Sequence, residues 1–597
     1  MTMRVSWCVA LAAVLAAGTA HAQSLGGDAP MPLFPSSGAP PAPLQVQIAP
    51  SGISIGGLSD VDPEAVGILS ASAAEPWRRD LGTQVWFGQD RLAVLAGLKT
   101  LPAASVSAAA RGMARQLLLT AAAPMSLSGT PATPGVLAAA RLDALIAAGD
   151  AEDALALAAL VPRSVQSEAV QLAVARAAWL KRDVKAACAG VEEGLQRFDA
   201  PVWGKMNAAC AAAAGATDKA RLSVSLLTDL GAVDEAFAPV ADRIQGRTRL
   251  SLAELPASIG VFEAGALAAL DAKFPEGLPL AAKPWLARLA VPKDGTVGDG
   301  ALAIVEEGLR RGAIPAAEAQ AVLERVAFPK ADVEEAKALK ADAATPRGRA
   351  LYWQMLKAAP SAPARAEILA RMLAPAHADP ALWPVLSALL AQPLADLSTE
   401  PAAAWLAGDA ARAAFWNGDW TVAKRWVELA ARNGGGSDAA RTVSGNLAPL
   451  VVLVDAPAAA QDRARMAVPT LAVWQKLEEA RGVAPASLKT VRDRLLALYR
   501  VFSLPASDAD WRAALADPAA PAAAPAASPV LAAATLDAAQ KGALGRTLML
   551  AAQQLDAGDG KPVSAAAADG VAAALLAVGA ADWAKRVAVE SLIAAGY

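Results

Sequence analysis

Residues 137–230 read LAAARLDALIAAGDAEDALALAALVPRSVQSEAVQLAVARAAWLKRDVKAACAGVEEGLQRFDAPVWGKMNAACAAAAGATDKARLSVSLLTDL. Helical runs of alanine and leucine break at Gly149-Asp150, at Arg182-Asp183 and at Gly215-Ala216, each break 33 residues after the last. A fixed period of this length marks stacked helix-turn-helix units, none of which can bury its apolar face alone. Five residues after each turn's first residue stand Ala154, Ala187 and Ala220. Small side chains there let the two helices of a hairpin approach closely.

The same register places the cysteines. Residues 184–197 are expected as the second helix of one unit and 202–214 as the first helix of the next, with the turn at Phe198-Asp199-Ala200-Pro201. Cys188 and Cys210 stand eleven residues either side of Asp199. An antiparallel pair rising about 1.5 Å per residue therefore brings them level. Ala187, Ala209 and Ala211 beside them permit the close approach that a disulfide needs. The alternative is two small buried thiols in an alanine-lined interface.

Outward from this stretch, composition sets the bounds. The chain has 597 residues, 54 Lys and Arg against 57 Asp and Glu, 55% hydrophobic residues and 5% aromatic ones. Alanine supplies much of the apolar share, which favours an all-α protein with thin, tightly packed layers. Balanced charge offers no footprint for nucleic acid or an anionic membrane. Residues 1–22 carry Arg4, an apolar run from Val9 to Ala17 and Ala20-His21-Ala22 before Gln23, the layout of a cleavable secretory signal. The expectation is an exported, periplasmic protein with no integral membrane segment after the signal is removed.

Beyond the signal, histidine is reduced to His377, and cysteine to Cys188 and Cys210. Zinc sites, Ser-His-Asp triads and Cys-His dyads all need an imidazole beside a partner. No cofactor, no metal and no catalytic residue is expected, and His377, between Pro375 and Pro380, is expected in an exposed loop. Gly52-Ile53-Ser54-Ile55-Gly56 matches a nucleophile elbow, but Gly57 and Ser59 follow where that motif requires a helix. Gly558-Asp559-Gly560-Lys561-Pro562 lacks the Ser or Thr and the glycine spacing of a phosphate loop and reads as a turn.

Residues 23–75 are rich in Pro, Gly and Ser and are expected as a largely disordered tail. Within it, Leu44 to Ile48 alternates as a short strand does, with Ile53 to Ile55 as its partner. A hairpin pattern returns at 402–432, where Asn417-Gly418-Asp419 forms the turn among Trp405, Trp416, Trp420 and Trp426. Either these rings fill the core of an alanine-lined hairpin, or they form a surface for a partner or a glycan. A similar turn, Val578-Gly579-Ala580, joins two helices near the C-terminus. Asn433 to Ser437 reads as a flexible break and 517–529 as an Ala/Pro linker.

The register of Gly149, Arg182 and Gly215, with Ala154, Ala187 and Ala220, resembles the tetratricopeptide-type helical repeat superfamily. In composition the chain also resembles alanine-rich exported bacterial proteins of unassigned activity. The expected fold is thus an all-α helical-hairpin solenoid behind a Pro/Gly-rich tail. TPR-like repeats are expected over 76–245, a middle helical region over 246–436 and a C-terminal helical region over 437–597. The resemblance implies a curved surface that holds a protein or peptide partner in the cell envelope, without catalysis. An alternative is a peptidoglycan-associated protein similar to the superhelical part of soluble lytic transglycosylases. That family's catalytic Glu is followed by Ser; Glu590-Ser591 has the dipeptide, but too little chain follows it for that catalytic domain.

Overall fold

The computed structural model describes residues 62–597 apart from 74, 127–132, 248–253, 276, 339–340, 434–437, 458, 469–470, 481, 520–527 and 557–563. Regular structure among them is helical, with no strand; an isolated bridge pairs Ser70 with Arg79. Two helices lead in, α1 (Arg91–Leu98) and α2 (Ala108–Leu119). The periodic stretch folds as α3 (Val136–Ala148), α4 (Ala151–Ala158), α5 (Glu168–Leu180), α6 (Val184–Arg197), α7 (Pro201–Ala213) and α8 (Thr217–Asp229). The middle supplies α9 (Ala238–Ile244), α10 (Val261–Ala269), α11 (Leu286–Ala290), α12 (Asp299–Arg310), α13 (Ala316–Leu323) and α14 (Lys330–Lys337). It continues with α15 (Pro346–Ala358), α16 (Ala362–Leu373), α17 (Pro375–Ala378), α18 (Trp383–Leu397), α19 (Ala407–Asn417) and α20 (Trp420–Asn433). The last part holds α21 (Asp438–Asp455), α22 (Ala460–Arg463), α23 (Leu471–Ala480), α24 (Pro485–Val501) and α25 (Asp508–Ala516). It ends with α26 (Pro529–Gln540), α27 (Leu544–Leu555), α28 (Ala565–Ala577) and α29 (Ala581–Ala594).

The 33-residue register has a backbone cause. Gly149, Arg182 and Gly215 have φ of 90°, 58° and 77°, in the left-handed region that closes a helix. In each turn the next amide reaches back five residues, as Asp150 N–H does to Leu145 O and Asp183 N–H to Ala178 O, both in a Schellman pattern. Asp150 and Asp183 then cap the following helix, accepting from the amides of Asp153 and Ala186. Gly418 and Asp419 repeat the device between α19 and α20, with Asp419 accepting from Val422 N–H. Ala154, Ala187 and Ala220 are fully buried where the paired helices meet. From α3 to α8 each helix packs on its neighbour in sequence.

Cys188 and Cys210 are joined, α6 to α7, with their Cα atoms 5.6 Å apart. On the same hairpin Trp203 lies in the groove beside Gly194, stacks on Phe198 at 5.9 Å and donates its indole N–H to Glu168.

Contacts between elements distant in sequence set this fold apart from a linear stack, in which each repeat touches only its neighbours. Helix α2 packs against α27 and α29, and α29 also packs against α19, α21 and α24. Trp583 of α29 donates to the Gln116 carboxamide of α2 at 2.6 Å. A Cβ on Gly112 would stand 2.3 Å from the Trp583 ring, so only glycine admits the indole there. Glu590 of α29 accepts from Ala109 N–H and so caps α2 from the far end of the chain.

Part of the stretch 23–75, expected as a disordered tail, is ordered. Residues 1–61, including the signal, the strand pair at 44–48 and 53–55 and the Ser54 motif, lie outside the described residues. From 62 onward the segment is packed. Glu64, 2% exposed, pairs with Arg91 and accepts from the amides of Gly135 and Ala138. It thereby caps α3, whose own N-cap, Gly135, has no side chain to do so. Most of the expected linker at 517–529 and of the break at 433–437, and all of the turn from Gly558 to Pro562, also lie outside the described residues.

Candidate functional site

The candidate tryptophans do not form one surface. Trp426 is fully buried and donates to Leu394 O, and Trp416 is buried as well. Trp420 is half-buried, edge-on to Trp77 at 5.4 Å. The hairpin reading puts Trp416 and Trp426 in the core, which removes them from any docking face. Trp405 alone of the four is open, 57% exposed at the end of the 3-10 turn Pro401–Leu406.

Trp405 stands at a cavity of about 240 Å³ lined also by Asp409 and Arg412 of α19 and by Asn446 and Leu447 of α21. Asp409 and Arg412 are three residues apart, which on a helix puts them on one face. The Arg412 guanidinium is buried and lies 3.5 Å from Asp409 and 3.8 Å from Glu478. Its Nε donates to Tyr597 O, and the Tyr597 ring stacks on Trp474 at 5.8 Å. The Tyr597 hydroxyl, held well above its usual pKa by burial, donates to Asn446 O.

His377, expected in a loop, sits in α17 with Nε2 3.0 Å from Asp409 Oδ1 and its ring edge-on to Trp383. Sequence reading missed this convergence, because His377, Asp409, Asn446 and Tyr597 lie on four stretches far apart in the chain. Trp405, exposed two residues before α19 begins, was its one linear signal.

A buried side-chain amide completes the site. Asn446 is 2% exposed, and neither its Oδ1 nor its Nδ2 has a hydrogen-bond partner. Leaving such a group unpaired costs about 1–3 kcal/mol, so its place on the cavity wall is chemically informative.

A second cavity of about 390 Å³ lies between Asp143, Arg176, Phe262, Glu263, Lys283 and Trp285. Its charged groups are taken up by the fold. Glu263 accepts from Gly260 N–H, with burial raising its pKa, and Lys283 donates to the carbonyls of Ala257 and Ile259. Glu590-Ser591 is likewise structural: Glu590 is a buried cap, and Ser591 Oγ accepts from Arg494. Among the described residues no cluster of His, Cys, Asp and Glu is arranged to hold a metal, and no helix is long and apolar enough to cross a membrane.

Comparisons with family models, with curated proteins and with solved structures return no match to this chain.

Proposed function

We propose that the chain is a non-enzymatic helical scaffold, exported to the periplasm by residues 1–22, whose TPR-like hairpin array holds a protein or peptide partner in the cell envelope. The observation that carries this reading is a stripe along α8 that ends at its C-cap, Leu230. Leu222, Leu226 and Leu230 are 72%, 58% and 71% exposed, on the face opposite the buried Ala220, Val224 and Leu227. Leucines four apart along a helix make a ridge that fits the groove of another helix. Exposed apolar surface arranged in such a row, rather than scattered, marks an interaction site. An amphipathic helix of the partner, with anchors at the same spacing, matches the chemistry of the stripe.

The test is site-specific photocrosslinking from position 226 in exported protein, with Leu222→Glu and Leu230→Glu as controls. A discrete crosslinked partner that both substitutions abolish is the expected result. Crosslinks unchanged by both, or turnover of a peptidoglycan substrate by the purified chain, would overturn the reading. Mass spectrometry of the exported form is expected to find Gln23 at its N-terminus.

A further inference from the structure

We infer that the cavity under Trp405 is a binding site for one neutral pyranose ring. The inference is independent of the leucine stripe on α8. Three features converge on that ligand. Trp405 offers an exposed indole face at the rim, a flat apolar platform for the C–H face of a sugar ring.

Charge narrows the class further. Arg412 faces two carboxylates, Asp409 at 3.5 Å and Glu478 at 3.8 Å, which outweigh its charge. Its buried Nη1 N–H has no hydrogen-bond partner and can be met by a hydroxyl oxygen. A phosphate or carboxylate entering here meets net negative charge and is disfavoured. A cationic amine is disfavoured for a different reason. Asn446 presents an unpaired acceptor, Oδ1, and an unpaired donor, Nδ2, both buried. An ammonium group can only donate, which leaves Nδ2 without a partner. Adjacent hydroxyls each donate and accept, so a pair of them satisfies both ends of the carboxamide at once.

Volume sets the length of the ligand. The cavity of about 240 Å³ is below the roughly 300–1,000 Å³ of sites that enclose drug-sized molecules. One ring fits, and a longer glycan would place its terminal residue here while the rest runs out past Trp405. Binding involves no covalent step: Asp409 and Asn446 hydrogen-bond the hydroxyls and the indole covers the ring face.

The experiment titrates the full chain with glucose, galactose and N-acetylglucosamine, and with the linear trimer of N-acetylglucosamine. Indole fluorescence and ligand-observed saturation-transfer NMR are the readouts. At least one neutral sugar is expected to bind saturably in the millimolar range. Trimer affinity above that of the monosaccharide identifies a glycan end as the ligand, and equal affinity identifies a free sugar; both support the site.

Glucose 6-phosphate and ethylammonium are expected to bind at least about tenfold more weakly, a difference of about 1.4 kcal/mol. Trp405→Ala, at an exposed position, is expected to abolish binding while the circular dichroism spectrum stays unchanged. Asn446→Leu removes an unpaired buried amide, so it is expected to keep or raise the melting temperature while weakening sugar binding at least about tenfold. The inference is overturned by absence of saturable binding for every neutral sugar, by binding that survives Trp405→Ala, or by glucose 6-phosphate or ethylammonium binding as tightly as sugar.

Discussion

At the scale of single residues, Arg182 explains why one of three equivalent turns lacks glycine. A left-handed conformation costs a residue other than glycine roughly 1–2 kcal/mol. Arg182 offsets this by carrying its guanidinium to the carbonyl oxygens of Arg288 and Val291, which ties the array to α11. Burial lowers its pKa to about 10, so it remains charged at neutral pH. Arg182→Gly is expected to relax the turn yet lose about 1–2 kcal/mol net in urea denaturation, since two charge-assisted bonds go with it. A gain in stability would refute this account.

Asp153 gives a pH dependence. Burial, then the neighbouring Asp150, push its carboxyl up to about 6 against the pull of Arg115. The folded chain thus holds this proton more tightly than the unfolded chain, whose Asp titrates near about 4. That contribution to stability is complete below pH of about 4 and is lost as pH rises through about 6. Asp153→Asn is expected to gain on the natural chain across that window, by on the order of 1–3 kcal/mol at neutral pH. Melting temperatures at a series of pH values read it, and a difference that does not vary with pH would contradict it.

At the scale of elements, the hairpin of α6 and α7 is legible in the sequence. Equal spacing of two cysteines about a turn, on helices of known rise, suffices to bring them level. Whether they also face each other depends on helix rotation, which the packed alanines decide. Thiol labelling of the unreduced, denatured chain is expected to find no free thiol at 188 or 210. Replacing both cysteines by alanine is expected to cost about 2–4 kcal/mol. Two free thiols per chain would remove the bridge. The cap of α3 was not legible, because its acceptor, Glu64, lies on another element, and neither was the Glu590 contact that supplements the local cap of α2, Ser107. A local reading pairs a helix start with the residues beside it, and here neither Gly135 nor its neighbours reveal the partner.

At the scale of the whole described chain, the contact of α29 with α2 makes stability depend on both ends. Buried between them, Glu590 has its pKa raised by burial, while Arg111 and Arg586 nearby are lowered to about 10. Removal of residues 581–597 takes away Trp583, the Glu590 cap and the Tyr597 contacts at a stroke. Hydrogen exchange is then expected to rise in α2, α19 and α21 as well as in α28. Loss of protection confined to α28 would instead describe a stack in which only neighbours interact. The sequence by itself determined the helical class, the 33-residue turns and the level cysteines, because helix periodicity, turn chemistry and helix rise act over a few residues to a few tens. Only the tertiary structure decided which tryptophans are core, where Glu64 and Glu590 act and that Trp405, Asp409 and Asn446 share one cavity. Those outcomes rest on contacts between segments far apart in the chain, and no local pattern encodes the packing that brings them together.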